Sequence, residues 1–262
     1  MEFLIHVGDS VDMKRNITHP SKCPVFGFAK NKNDLVNGTY TDGVVSIPCF
    51  SFWSWPEARI TRWNKKIISI KKAGDRKTFA MKKSKLFWRG AETGRRVDIV
   101  PIAKKHREIM DVSFMDWQIP EFLNRSTHKE YRTLEQHCNY KYLLHLEGNT
   151  FSGRLKYLLI CASPVIFLKI NGWEEFWYHL LKHKENIIIL DSVSEASLLN
   201  MTNYLLENSE RASHIGINGR NLVLKYLNEQ AIICYMRNVL LTYSKLINYQ
   251  VTKHNLATVK FL

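Results

Sequence analysis

Two short stretches of this chain combine glycine, a hydroxyl and arginine in an order suited to holding an anion. One is Arg89-Gly90-Ala91-Glu92-Thr93-Gly94-Arg95-Arg96; the other runs from Glu147 and ends Ser152-Gly153-Arg154. Glycine lets backbone N–H groups approach a ligand closely, and arginine adds a planar charged fork that matches phosphate oxygens. Ser152 stands where a helix would be capped, and N–H groups at a helix start draw negative charge. Arg154 falls in the first turn, where the helix dipole disfavours a cation, and a phosphate beside it would remove that conflict. The plainer alternative is an arginine exposed on a surface helix. Neither stretch contains Gly-x-x-x-x-Gly-Lys-Ser/Thr or Gly-x-Gly-x-x-Gly, so neither a nucleotide triphosphatase nor a dinucleotide binder is indicated.

The elements that must position these loops are legible as periodicity. Residues 140–146 form an apolar strand-like run, 147–151 a turn, and a helix then carries Leu155, Leu158, Leu159 and Ala162 at helical spacing before a second apolar run at 165–168. Strand, loop, helix, strand is the βαβ unit of an α/β domain. Further strands are expected at 3–7, 25–29, 44–47, 86–88, 112–114 and 187–190. Helices are expected at 96–106, 173–181, 194–206, 211–227 and 229–249, with Ser194 and Ser209 as caps. Residues 62–85 are strongly basic and read as a solvated helix and connector between two lobes. Before them lies an aromatic knot, Phe50-Ser51-Phe52-Trp53-Ser54-Trp55, which either packs a loop onto the sheet or offers a stacking wall to a flat ligand.

The 262 residues allow one or two domains, and 45% hydrophobic with 12% aromatic content is that of a globular chain. A net charge of +14 points to anionic company: nucleic acid, anionic lipid or a nucleotide sugar. No apolar run is long enough to span a membrane, and the opening residues are too short and polar for a signal peptide. Five cysteines include no Cys-x-x-Cys pair, so a zinc cluster is not expected. Four Asn-x-Ser/Thr sequons, at Asn16, Asn37, Asn124 and Asn200, mildly favour a secretory route.

In combination, several motifs resemble the Rumi-type protein O-glucosyltransferases and the fungal capsule-associated xylosyltransferases. They are Phe87-Trp88-Arg89-Gly90-x-x-Thr93-Gly94, His137-Cys138-x-Tyr140-Lys141-Tyr142, and Ser152-x-Arg154-x-Lys156-Tyr157-Leu158-Leu159-x-Cys161-x-Ser163. Glu175-Phe176-x-Tyr178 and Cys234-Tyr235 continue the resemblance over nearly the whole chain. It implies a GT-B-like α/β fold of two Rossmann-like lobes, here with the first lobe shortened at its start. Residues 1–72 would be the partial acceptor-side lobe, 73–228 the nucleotide-sugar lobe, and 229–262 a helix packing back on the first lobe.

The implied reaction is inverting transfer of glucose or xylose from UDP-glucose or UDP-xylose to a protein serine or a glycan, with no metal and no cofactor. Asp9 would be the base. Arg89, Gly90, Ala91, Thr93, Arg96 (or Arg95), Ser152 and Arg154 would hold the nucleotide sugar. Phe52 and Trp53 would shape the sugar and acceptor pocket. The resemblance further implies a Cys138–Cys161 disulfide and residence in the endoplasmic reticulum lumen or secretory pathway. Two other readings stay open: a relative that binds nucleotide sugar without transferring it, and a basic nucleic-acid-binding domain. No nucleic-acid module supports the second.

Overall fold

The computed structural model describes residues 3–9, 25–32, 35–36, 39–40, 44–58, 60–115 and 130–247. The first lobe is small. Strands β1 (Leu4–Ile5), β2 (Val25–Gly27) and, after the short β3 (Lys30–Asn31), β4 (Leu35–Val36) and β5 (Thr39–Tyr40), β6 (Val44–Ser46) include a parallel sheet ordered β1-β2-β6. The aromatic loop follows, with 3-10 turns at Phe50–Phe52 and Pro56–Ala58, and leads into α1 (Trp63–Asp75).

The second lobe alternates β7 (Lys83–Gly90), α2 (Arg96–Lys105), β8 (Met110–Phe114), α3 (Leu134–His137), β9 (Tyr140–Leu146), α4 (Leu155–Ile160) and β10 (Val165–Leu168). After β11 (Trp173–Glu174) and β12 (Ile188–Leu190) come α5 (Glu195–Glu207), α6 (Ser209–Tyr226) and α7 (Glu229–Leu246). Its five-stranded sheet, ordered β12-β10-β9-β7-β8, is parallel throughout. Parallel strands are covered on both faces, which is why β9 and β10 read as nearly unbroken apolar runs. Leu86, Trp88, Tyr142 and Leu144 face a core shared with α2 and α5, while Phe87, Leu143 and Phe167 face one shared with α1 and α4. These two sheets make the two α/β lobes of the expected GT-B-like plan. Helix α7 returns to the first lobe, where Tyr243 meets Phe26 at 5.3 Å and the Tyr235 hydroxyl donates to the Ser46 carbonyl at 2.6 Å.

Three local expectations change. Residues 173–181 form no α-helix: β11 pairs antiparallel with β3, and only Tyr178–Leu180 make a 3-10 turn. Tertiary demands override helical spacing there, because Trp177 and Tyr178 are buried and Glu174 pairs with Lys32 and Lys169. Ser152 does not cap α4, whose N-cap is Arg154. Ser209 is the first residue of α6 rather than its cap, whereas Ser194 does accept from the Ser197 N–H at 3.0 Å.

A disulfide joins Cys138 to Cys161, the residues that end α3 and α4; Cys49 is a buried thiol and Cys234 an exposed one. The sequons at Asn16, Asn37 and Asn124 lie outside the described residues. Asn200 sits within α5, and the Thr202 of its sequon is buried, donating to the Leu198 carbonyl at 2.7 Å. Among the described residues no helix is long and apolar enough to cross a membrane.

Candidate active site

A cavity of about 380 Å³ opens between the lobes at the carboxyl ends of β7 and β9, the place where parallel α/β sheets hold ligands. Gly90, Ala91, Thr93 and Arg96 line it from the loop after β7, and residues 148–154 from the loop after β9. The first lobe contributes Asp9, Phe50 and Trp55. Thr133, Leu134 and His137 of the α3 region close another side.

The two anion loops interlock through main chain. Gly94 has a φ of 53°, a region L side chains rarely adopt, and a Cβ there would collide with the Gly148 carbonyl. Gly90 differs in kind: a Cβ on it would meet side chains, the Trp88 indole at 2.5 Å and the Arg154 guanidinium at 2.9 Å. Gly94 therefore lets one loop lie across the other.

Arg96 is buried and spends its donors on neutral oxygens. It donates to the carbonyls of Glu147 (2.9 Å), Ala91 (3.2 Å) and Leu146 (3.2 Å) and to the Thr93 hydroxyl (2.8 Å). Arg154 donates to the Arg89 carbonyl at 2.5 Å and weakly to the Ser152 hydroxyl at 3.5 Å. Both guanidiniums lie over one indole, that of Trp88, at 5.6 and 5.5 Å from its centroid. Among the described residues neither has a carboxylate partner. Burial lowers Arg96 to about 10, and burial plus the neighbouring Arg96 lowers Arg154 to about 9. Two dehydrated cations side by side are costly, and a bound anion offsets that cost.

Arg89 is placed differently from the sequence expectation. It does not line the cavity; its guanidinium is buried and paired with Asp111 at 2.6 Å and Glu130 at 3.1 Å. Tyr140 donates to the other Asp111 oxygen at 2.7 Å, so this network braces the segment entering α3. Phe52 and Trp53 also lie elsewhere. Phe52 is a core ring against Trp63 (5.4 Å) and Phe176 (5.7 Å), and Trp53 is exposed on another face. Their neighbours Phe50 and Trp55, edge to face at 5.5 Å, form the cavity wall instead, because the 3-10 turn rotates alternate rings to opposite sides. Asp9 and the remaining expected residues Gly90, Ala91, Thr93, Arg96, Ser152 and Arg154 meet at the one cavity.

Sequence reasoning missed two groups here. Glu147 accepts from the N–H groups of Ile170 (2.9 Å), Asn171 (2.7 Å) and Trp173 (3.1 Å), tying the second anion loop to the chain after β10. Its carboxyl is raised by burial, against the pull of those N–H groups. His137 donates from Nδ1 to the Thr133 carbonyl at 2.7 Å, and burial lowers it to about 4, so the ring is neutral. The sequence signal for each was its place in a quoted stretch: His137 opens one motif and Glu147 begins the second anion loop.

Residues 1–260 match the family described as glycosyl transferase family 90. Similar curated proteins include the O-glucosyltransferase rumi homolog of Aedes aegypti, 30% identical over 99% of this chain and 65% of that protein. O-glucosyltransferase rumi of Drosophila melanogaster is 26% identical over 96% of this chain and 62% of that protein. Protein O-glucosyltransferase 1 of Homo sapiens is 26% identical over 97% and 64%. The chain thus spans between 62% and 65% of the length of these relatives. Among solved structures, Anabaena Alr3699/HepE in complex with UDP and glucose is 12% identical with a TM-score of 0.49, over 84% of this chain and 62% of that one.

Proposed function

The chain belongs to glycosyl transferase family 90, and from that premise we propose that its cavity holds the diphosphate of a UDP-sugar and directs transfer of the sugar, with inversion, to a protein or glycan hydroxyl. Glucose is the favoured sugar, since the relatives are named O-glucosyltransferases, and xylose is the alternative. The observation that carries the reading is the Arg96–Arg154 pair over Trp88, two cations without a carboxylate partner among the described residues, beside glycine-rich backbone.

Asp9 is the one carboxylate among the described cavity-lining residues. In the proposed step it takes the acceptor hydroxyl proton while the oxygen forms a bond to C1 of the sugar. The bond from C1 to the phosphate oxygen breaks, and the electron pair leaves with UDP. The charge that develops on the leaving oxygen falls beside the two guanidiniums, so stabilisation grows as the bond breaks. In this reading neutralisation comes from arginine, without a metal ion. Residence in an oxidising secretory lumen is part of the proposal, supported by the Cys138–Cys161 disulfide.

Titration with UDP and assay of UDP-glucose turnover, with and without chelator, test this. Asp9→Asn is expected to leave UDP affinity unchanged and to lower turnover by about 10²- to 10⁴-fold. Absence of UDP binding at millimolar concentration overturns the proposal; UDP binding without turnover by the unaltered chain reduces it to donor binding alone.

A further inference from the structure

Beneath the cavity floor lies a polar cluster that the reaction above does not use. Lys156 is fully buried, donating to the Gly153 carbonyl at 2.8 Å and to the Ser51 hydroxyl at 2.5 Å. Its ammonium sits 4.3 Å from the centroid of Phe52 and 4.7 Å from that of Tyr157. The Tyr157 hydroxyl donates to the Ser51 carbonyl at 2.7 Å. Cys49 Sγ is 2.9 Å from the Ser51 hydroxyl and 3.7 Å from a buried Glu175 oxygen. Gly153 rests directly on this group, since a Cβ there would stand 3.1 Å from Ser51 Oγ.

The connections cross between the lobes. Ser51 belongs to the aromatic loop and follows Phe50, a ring of the first-lobe wall; Gly153 precedes Arg154 in the second-lobe anion loop. A buried ammonium cannot be left without acceptors, and hydrogen bonds to a charged donor are about twice as strong as neutral ones. We infer that Lys156 is a positioning residue: through Ser51 and Gly153 it fixes the distance between the wall at Phe50 and Trp55 and the anion grip at Arg154. The inference rests on the UDP-sugar reading of the same cavity. Lys156 touches no ligand itself. It sets where the acceptor side stands relative to the donor, and a misplacement near 1 Å costs about 100-fold in rate.

Ser51→Ala removes the first-lobe end of the link and leaves the Lys156–Gly153 bond in place. Hydrogen exchange with and without saturating UDP reads the coupling independently of turnover, using the turn amides of Phe52 and Trp53, which bond to the Cys49 and Phe50 carbonyls. In the unaltered chain UDP is expected to slow exchange both there and at 155–158. In Ser51→Ala the UDP dissociation constant is expected to stay within about twofold, with protection kept at 155–158 and lost in the aromatic loop. Where turnover is measurable, kcat falls about 10- to 100-fold at unchanged donor KM. Lys156→Met is expected to show the same split with a lower Tm. Unchanged UDP protection of the aromatic loop in Ser51→Ala overturns the inference while leaving donor binding standing. Failure of the unaltered chain to bind UDP removes both.

Discussion

Arg96 and Arg154, fifty-eight residues apart, rest on the single indole of Trp88, with no acid between them among the described residues. Their roles nonetheless differ. Arg96 holds three backbone carbonyls and a hydroxyl, while Arg154 makes one good hydrogen bond and faces the cavity with capacity to spare. Arg154→Ala is expected to weaken UDP binding about 10- to 100-fold with little change in Tm, since a charged hydrogen bond contributes about 1.5–3 kcal/mol. Arg154→Lys recovers only part, because an ammonium lacks the fork. Arg96→Ala weakens binding too and also lowers stability by about 2–3 kcal/mol, because buried carbonyls lose their donor. Calorimetric titration and urea unfolding of the three variants separate these outcomes.

The aromatic loop divides by side. Trp55→Ala is expected to raise the acceptor KM while leaving UDP affinity intact, and Trp53→Ala to shift stability by less than about 0.5 kcal/mol with unchanged activity. Phe52→Ala empties a core site and costs about 3–5 kcal/mol. Equal effects of Trp53→Ala and Trp55→Ala on the acceptor would contradict the wall assigned to Phe50 and Trp55.

The disulfide closes a 23-residue separation and joins the ends of α3 and α4, which carry His137 and Arg154 at or beside their boundaries. Replacing both cysteines by alanine is expected to cost ~3 kcal/mol of stability by the chain-entropy estimate. Donor affinity should fall as well, since the two sides of the cavity are no longer tied. Unfolding and UDP titration of the double variant check both.

Acid should loosen the molecule before it affects most carboxylates. His137 sits near 4 when folded against an ordinary 6.5, so below pH 6.5 the unfolded chain binds the extra proton. Stability is therefore full above pH 6.5 and declines as pH falls to 4, by about 3 kcal/mol from this group. His145, pushed well down chiefly by burial and further by Arg154, adds in the same direction. Urea unfolding at pH 7 and 4.5 measures the decline, and His137→Gln is expected to flatten it.

Much of the architecture could be read from the chain because parallel strands bury both faces and leave uninterrupted apolar runs at 140–146 and 165–168. The loops after β7 and β9 were equally visible as glycine and arginine text. Orientation was not. Whether Arg89 faces a ligand or Asp111 depends on the alternation of sides along β7, and whether Phe50 or Phe52 turns toward the cavity depends on rotation within a three-residue turn. Residues 173–181 misled because Trp173, Phe176, Trp177 and Leu180 fall at i, i+3, i+4 and i+7 as on a helix, yet the segment opens by pairing with β3 as a strand. The tasks of Glu147 and Lys156 depend on partners 23 to 105 residues away, at separations no local pattern encodes.

The left-handed Gly94 against the Gly148 carbonyl has a bearing on how such a molecule diversifies. Any side chain at that crossing would push the two anion loops apart, so the part gripping the diphosphate tolerates little experiment. The rings opposite, at Phe50 and Trp55, touch neither glycine of that crossing, so those two side chains can change without disturbing it. New acceptors would then be acquired by rewriting the far bank of the cleft, with the near bank inherited unaltered.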